Sequence, residues 1–288
     1  MIPPNFDYAA PKSLDEAVKL LKGNPDAKIL AGGQSLIPLM RFRLASPALL
    51  VDMNGIDGIS GVKEDKDWLK IGALTRESEL ERSDVINSKY PLLADTARVV
   101  ADPIVRNRAT VGGNLAHADP ANDHPATMLA YGAQVVATGP KGERTIPIGE
   151  FFTGTFSTAL ASDEILTEIQ IPAAAKGSGG AYLKLERKVG DFATAAVAVQ
   201  VTVEGGKVTY AGIGLTNVGD TPIKATEAEK ALVGNAPDAA AISNAAALAA
   251  EASQPVADQR GSEAYKRALV ATLTSRALNQ ALARANGG

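Results

Sequence analysis

The chain contains no cysteine. That excludes disulfides, iron–sulfur ligation, a thiolate nucleophile and thioether-linked cofactors within this polypeptide. Only two histidines, His117 and His124, are available for imidazole chemistry. Basic clusters are missing as well. The formal net charge is −3, and no Lys/Arg stripe marks a nucleic-acid or anionic-membrane partner. The opening "MIPPNFDYAAPKS" has neither a positive n-region nor an apolar h-region, so no secretory signal is expected. No apolar run reaches the roughly 18 residues of a spanning helix, so an integral membrane protein is not expected either. The remainder is ordinary globular composition: 288 residues, 45% hydrophobic and 21% charged, enough for two or three modules around a large core. With side-chain catalysts this sparse, composition favours a bound cofactor or a supporting role.

What is present alternates between helix and strand. "PKSLDEAVKLLKGNP" predicts a helix opened by a Ser13/Glu16 capping box, with Leu14, Ala17, Val18 and Leu21 on one face. "AKIL" and "ALLVDM" predict strands on either side of the helical turn "PLMRFRL", an α/β lobe. From Trp68 a second unit begins. It has strands at "WLKIGALT", "AQVVAT" and "EILTEIQIP", and helices at "YPLLADTARVVAD" and "PATMLAYG". "AAAKGSGG", residues 173–180, is the best linker candidate. Beyond it, "ATAAVAVQVTVEGGKVTYAGIGLTNV" predicts a hairpin around the turn "EGGK", followed by three alanine-rich helices. This divides the chain into residues 1–55, 56–176 and 177–288.

Two glycine loops stand at like places in the first two modules: Ala31, Gly32, Gly33, Gln34 and Ser35, then Thr110, Val111, Gly112, Gly113 and Asn114. A glycine pair is read either as a tight turn or as a backbone with uncovered N–H groups, an anion-sized concavity that a following helix N-terminus strengthens. Two such loops, flanked by Ser35, Thr110 and Asn114, point toward a shared diphosphate. No G-x-x-x-x-G-K-[ST] and no G-x-G-x-x-G after the first strand is present, which argues against a P-loop and a Rossmann site.

"HADPANDH" packs two His and two Asp into eight residues, but its spacing matches no standard metal set. The plainer reading is an acidic loop with Asp123 as N-cap of the helix beginning near Pro125. Asp123 could equally accept hydrogen bonds from a polyol. Arg187, Lys188 and Asp191 in "ERKVGDFATAA" are either a solvated strand end or part of a site.

The segments "AGGQSLIPLM", "TVGGN", "DPANDHPA", "EILTEIQIP" and "KLERKVGDFATAAVAV" resemble the FAD-binding medium subunits of molybdenum hydroxylases. The likeness spans essentially the whole chain and is strongest to aerobic molybdenum–copper carbon monoxide dehydrogenases. It implies an α+β protein: a two-lobed FAD-binding fold of the vanillyl-alcohol-oxidase type, then a C-terminal α/β domain. It implies FAD between the lobes, with both glycine loops on the diphosphate and Asp123 on the flavin's sugar-alcohol chain. Val100, Leu166 and Lys184 would line the cofactor. Gln34 stands where many carbon monoxide dehydrogenases carry His, and Phe192 where they carry Tyr beside the flavin. The implied partners are an iron–sulfur small subunit and a molybdenum-cofactor large subunit, in a dimer of heterotrimers. The implied role is electron transfer from [2Fe–2S] clusters through FAD to an external acceptor. The implied location is cytoplasmic, or at the inner face of the cytoplasmic membrane through partners. Other readings are the flavin subunit of an N-heterocycle or aldehyde hydroxylase, a free-standing flavin oxidoreductase, or a nucleotide-binding protein without redox activity.

Overall fold

Ser13 opens the first helix, Leu14–Gly23, as its spacing to Glu16 predicts: its hydroxyl accepts from the Glu16 N–H at 3.2 Å. The Glu16 carboxylate reaches back to the Lys12 N–H at 2.9 Å, one residue earlier than a capping box requires. The computed structural model describes residues 2–287. In it this helix joins two parallel strands, Asp7–Ala9 and Ala27–Leu30, which flank Leu49–Asp52 in a three-stranded parallel sheet. Ala17, Val18 and Leu21 bury one helix face against Leu49, Val51 and Met53.

The second lobe carries an antiparallel sheet ordered Val62–Asp65, Trp68–Gly72, Ile165–Pro172, Gln134–Gly139 and Gly142–Pro147. Its helices Pro91–Val99 and Asp123–Tyr131 pack into one core with Leu69, Ile71, Val135 and Ile169. The expected alternating lobe is found in the first module. The second is antiparallel: short hairpins, which no parallel pair can use, join its outer strand pairs, and Ile165–Pro172 runs against both of its neighbours.

The third unit is an antiparallel sheet of Ser178–Leu185, Ala195–Glu204, Lys207–Thr216 and Ile223–Lys224, backed by helices Thr226–Leu232, Ala239–Ala252 and Glu263–Ala285. The "EGGK" turn is as predicted: Gly205 and Gly206 take φ +57° and +76°, the positive values a primed hairpin turn needs. Ala195–Glu204 is buried on both faces. Val197, Val199 and Val201 meet the C-terminal helices, while Ala196 and Ala198 meet the second lobe. Small residues on the second face let the Asp123–Tyr131 helix approach closely, and a Cβ on Gly212 or Gly214 would lie 1.9 Å or 2.0 Å from the Ala130 or Ala126 carbonyl. All nine residues of that helix are buried.

The stretch read as a linker is not loop throughout. Ser178–Leu185 is a full strand, and a Cβ on Gly179 would lie 2.1 Å from the Ala281 carbonyl. Among the described residues no helix is long and apolar enough to cross a membrane.

Candidate functional site

The two glycine loops meet. The first runs from the Ala27–Leu30 strand to the helix Leu36–Arg41, and a Cβ on Gly32 would lie 2.2 Å from the Arg108 carbonyl, just before the second loop. Gly33 takes φ +73°, the left-handed region that costs other residues strain. In the second loop Thr110 is the N-cap of helix Val111–His117, its hydroxyl accepting from the Gly113 N–H at 3.2 Å. The Gly112 N–H donates to the Ala73 carbonyl at 2.9 Å, and a Cβ there would lie 2.5 Å from the Ala73 side chain. A Cβ on Gly113 would face the Thr110 hydroxyl at 2.7 Å and Ala31 at 3.8 Å. Close approach thus demands Gly32 and Gly112, backbone angle demands Gly33, and the capping hydroxyl of Thr110 crowds any Cβ at position 113.

Among the described residues nothing accepts from the backbone N–H groups of Gly32, Gly33, Gln34 or Ser35. Ser35 begins the following helix, yet its hydroxyl makes no capping bond. The Asn114 backbone carbonyl takes the Asn122 side-chain amide at 2.8 Å, while the Asn114 Oδ1 is buried without a partner. Unpartnered donors on the first loop, facing a capped helix N-terminus on the second, fit the diphosphate of a dinucleotide.

Asp123 does not cap its helix. Asn122 is the N-cap, without a side-chain capping bond, and Asp123 lies in the first turn. Its buried carboxylate accepts from the Tyr182 hydroxyl at 2.6 Å and from Lys184 Nζ at 3.1 Å. Lys184 also donates to the Val99 carbonyl at 3.1 Å and stands 3.3 Å from Glu186. Burial pushes the Asp123 carboxyl up, against the opposing pull of Lys184 and Tyr182. Burial and the Asp123 charge push Tyr182 well above its ordinary value. Both donors come from the third unit, so a carboxylate on the second lobe is held by the C-terminal sheet.

Val100 is buried beside the Val99 carbonyl that holds Lys184. The loop carrying Phe192 seats at the same turn, where a Cβ on Gly190 (φ +83°) would lie 3.0 Å from Ala101. Phe192 itself is 48% exposed, its N–H held by Asp191, which Arg187 and Arg260 grip at 3.0 and 3.2 Å. Leu166 pairs with Ala137 in the sheet core of the second lobe, in a different setting from the polar cluster.

The two histidines part company. His124 is fully buried and meets Glu77 at 2.7 Å, leaving Nδ1 and the other Glu77 oxygen without partners. Burial opposes a charge on His124, but Glu77 outweighs it and holds the imidazole above its ordinary value. His117 packs on the Phe156 ring at 5.0 Å, and burial lowers it. Among the described residues no group of three or more His, Asp or Glu could hold a metal ion.

Three contributors escape the sequence reading: Tyr182, Asn54 and Arg76. Tyr182 carried one faint signal. It lies two residues before Lys184 on a strand, so the two point to one face. Asn54 carried none, because it falls just past the predicted strand "ALLVDM", outside every motif.

Comparison with known proteins completes the description. The family described as the FAD binding domain in molybdopterin dehydrogenase matches residues 4–174, and the CO dehydrogenase flavoprotein C-terminal domain matches residues 180–281. The carbon monoxide dehydrogenase medium chain of Hydrogenophaga pseudoflava is 46% identical, covering 99% of each chain. The 6-hydroxypseudooxynicotine dehydrogenase complex subunit alpha of Paenarthrobacter nicotinovorans is 39% identical, covering 99% of this chain and 97% of its own. Among solved structures, carbon monoxide dehydrogenase from Hydrogenophaga pseudoflava lacking the Mo-pyranopterin moiety superposes with a TM-score of 0.96 at 48% identity, covering 99% of both chains.

Proposed function

This chain belongs to the family of FAD-binding flavoprotein subunits of molybdopterin dehydrogenases, and from that premise we propose that it is the medium subunit of an aerobic carbon monoxide dehydrogenase. It is an FAD-binding oxidoreductase subunit. When bound, FAD would supply the redox chemistry that links the iron–sulfur small subunit to an external acceptor. The large subunit carries the molybdenum cofactor and oxidises the substrate, and two heterotrimers pair.

The chain's own residues bind and orient. The free N–H groups of Gly32, Gly33, Gln34 and Ser35 would hold the diphosphate, and the helix beginning at Val111 would add its N-terminal dipole. Asp123, fixed by Tyr182 and Lys184, accepts from the sugar-alcohol hydroxyls. Val100, Leu166 and Lys184 would line the cofactor, and Phe192 would stand beside the flavin. The three modules divide at about residues 55 and 176. The observation that carries the reading is the meeting of two glycine loops around amides without acceptors.

The test is reduction of the flavin. The isolated chain should bind one FAD, release it completely on acid precipitation, and be reduced by dithionite but by no substrate. In complex with an iron–sulfur and a molybdenum subunit, carbon monoxide should bleach the flavin. Bleaching by an N-heterocycle or an aldehyde instead would reassign the substrate. Substrate-driven bleaching of the isolated chain would overturn the subunit reading in favour of a free-standing oxidoreductase.

A further inference from the structure

We propose that Asn54, Gln34 and Arg76 are positioning residues that turn the peptide planes of the first glycine loop so that its N–H groups face the diphosphate, an inference that rests on the FAD-binding reading above. In a trans peptide the C=O and N–H of one unit point in opposite directions. The Ala31 carbonyl is held by Asn54 Nδ2 at 2.9 Å, and the Gly32 carbonyl by Gln34 Nε2 at 3.1 Å. The N–H groups of those two units, on Gly32 and Gly33, therefore each point away from these supports, and among the described residues neither has an acceptor. The Gly33 carbonyl accepts from the Ile37 N–H at 3.0 Å, which turns the Gln34 N–H away from Ile37.

Glycine needs this help. Its backbone crosses freely between regions of φ, so an untethered Gly-Gly peptide can present either its N–H or its carbonyl. A carbonyl turned inward would repel a phosphate oxygen. Asn54 is itself held in one orientation. Arg76 has donors only, so its Nη2 fixes the acceptor Oδ1 of Asn54 on its side. That leaves Nδ2 for Ala31 and for Asp52 at 2.6 Å. The same guanidinium donates through Nη1 to the Arg108 carbonyl at the entrance of the second loop, and the Arg76 backbone bridges to Thr110. One side-chain chain, from Ala31 through Asn54 and Arg76 to Arg108, thus sets both the peptide direction of one loop and its distance from the other.

The experiment measures the FAD dissociation constant of the full chain after cofactor removal, by flavin fluorescence, beside the melting temperature of each apo chain. The variants are N54A, R76Q, the double N54A/R76Q and Q34A. Asn54 and Gln34 are exposed, so their variants should fold. Each single change should weaken FAD binding about threefold to tenfold, the worth of one hydrogen bond. The double variant should be no weaker than its weaker parent by more than about twofold, because the same chain is broken once. Apo melting temperatures should stay within about 2 °C of the parent chain, since nothing buried is removed. Unchanged dissociation constants, a double variant that multiplies the single losses, or affinity losses that track losses of apo stability would each overturn the proposal. A parent chain that binds no FAD would overturn the functional reading itself.

Discussion

The first glycine loop, Ala31–Ser35, hangs between a strand and a six-residue helix, and two of its carbonyls are held by side chains, one its own Gln34 and one the distant Asn54. The second, Thr110–Asn114, is woven into the backbone. Val111 and Gly112 donate to the carbonyls of Thr75 and Ala73, and Thr110 caps the helix that follows. Similar composition therefore produces two kinds of site. The first is oriented by replaceable side chains and should fail by losing ligand. The second is part of the scaffold and should fail by losing fold.

Substitutions that strike one loop and spare the other sharpen this contrast. The largest effect is expected at Gly112→Ala, whose new Cβ would lie 2.8 Å from the Ala73 Cα and 2.7 Å from its carbonyl. Overpacking against backbone should cost the apo chain about 3 kcal/mol in urea unfolding. Gly33→Ala meets mainly the movable Ile37 and Leu30 side chains and should cost about 1 kcal/mol of left-handed strain while reducing FAD affinity. Equal stability losses at the two positions would break the comparison.

Next in size is Asp123→Asn. A helix cap would tolerate this change, since both residues cap well. A buried carboxylate holding Tyr182 and Lys184 would not, and the apo chain should lose about 2 kcal/mol, with weaker FAD binding besides. Unchanged unfolding would return Asp123 to the cofactor alone.

Smaller still is the hydroxyl pair. Thr110→Ala removes a cap bond and should cost about 1 kcal/mol, whereas Ser35→Ala, with no cap bond to lose, should leave apo stability unchanged. Both should weaken FAD binding, so calorimetry of the apo chains separates scaffold from ligand contact.

The smallest effect is one of pH. Glu77, beneath the second loop, holds His124 above its ordinary value, so the folded chain binds this proton more tightly than the unfolded chain does. The resulting stability is complete below the unfolded histidine pKa of about 6.5 and is lost as pH rises through the folded value. Between about pH 6 and pH 9 the parent chain should lose more stability than His124→Gln does. Parallel melting curves would remove the pair from the account of the second loop.

Local signals in the sequence were legible. Ser13 and Glu16 lie three residues apart and mark a helix start, and "EGGK" contains its own turn. Only the first glycine loop keeps the free amides that composition suggested for both, since Val111 and Gly112 donate to Thr75 and Ala73; the loops were legible as a candidate site. Their separate supports were not, since Asn54 lies 23 residues from the carbonyl it holds and Arg76 lies 32 from its own. For Asp123 a cap and a polyol contact stood side by side, and neither reading included its partners Tyr182 and Lys184, which come 59 and 61 residues later. "GSGG" looked like a linker for a similar reason. A missing Cβ serves flexibility and close packing alike, and only the Ala281 carbonyl, 2.1 Å from the place of that Cβ, decides between them.

The contact of Gly212 and Gly214 with the Asp123–Tyr131 helix bears on how the chain is made. On the ribosome the helix emerges about 80 residues before the strand that covers it, as the separation of Tyr210 from the Ala130 carbonyl it binds records. Until Lys207–Thr216 has followed, one wall of a helix that ends buried at all nine positions has no partner. Co-translational folding of the cofactor lobes therefore waits for the C-terminal sheet, and the interval before it arrives is when chaperone capture and misassociation compete with native docking.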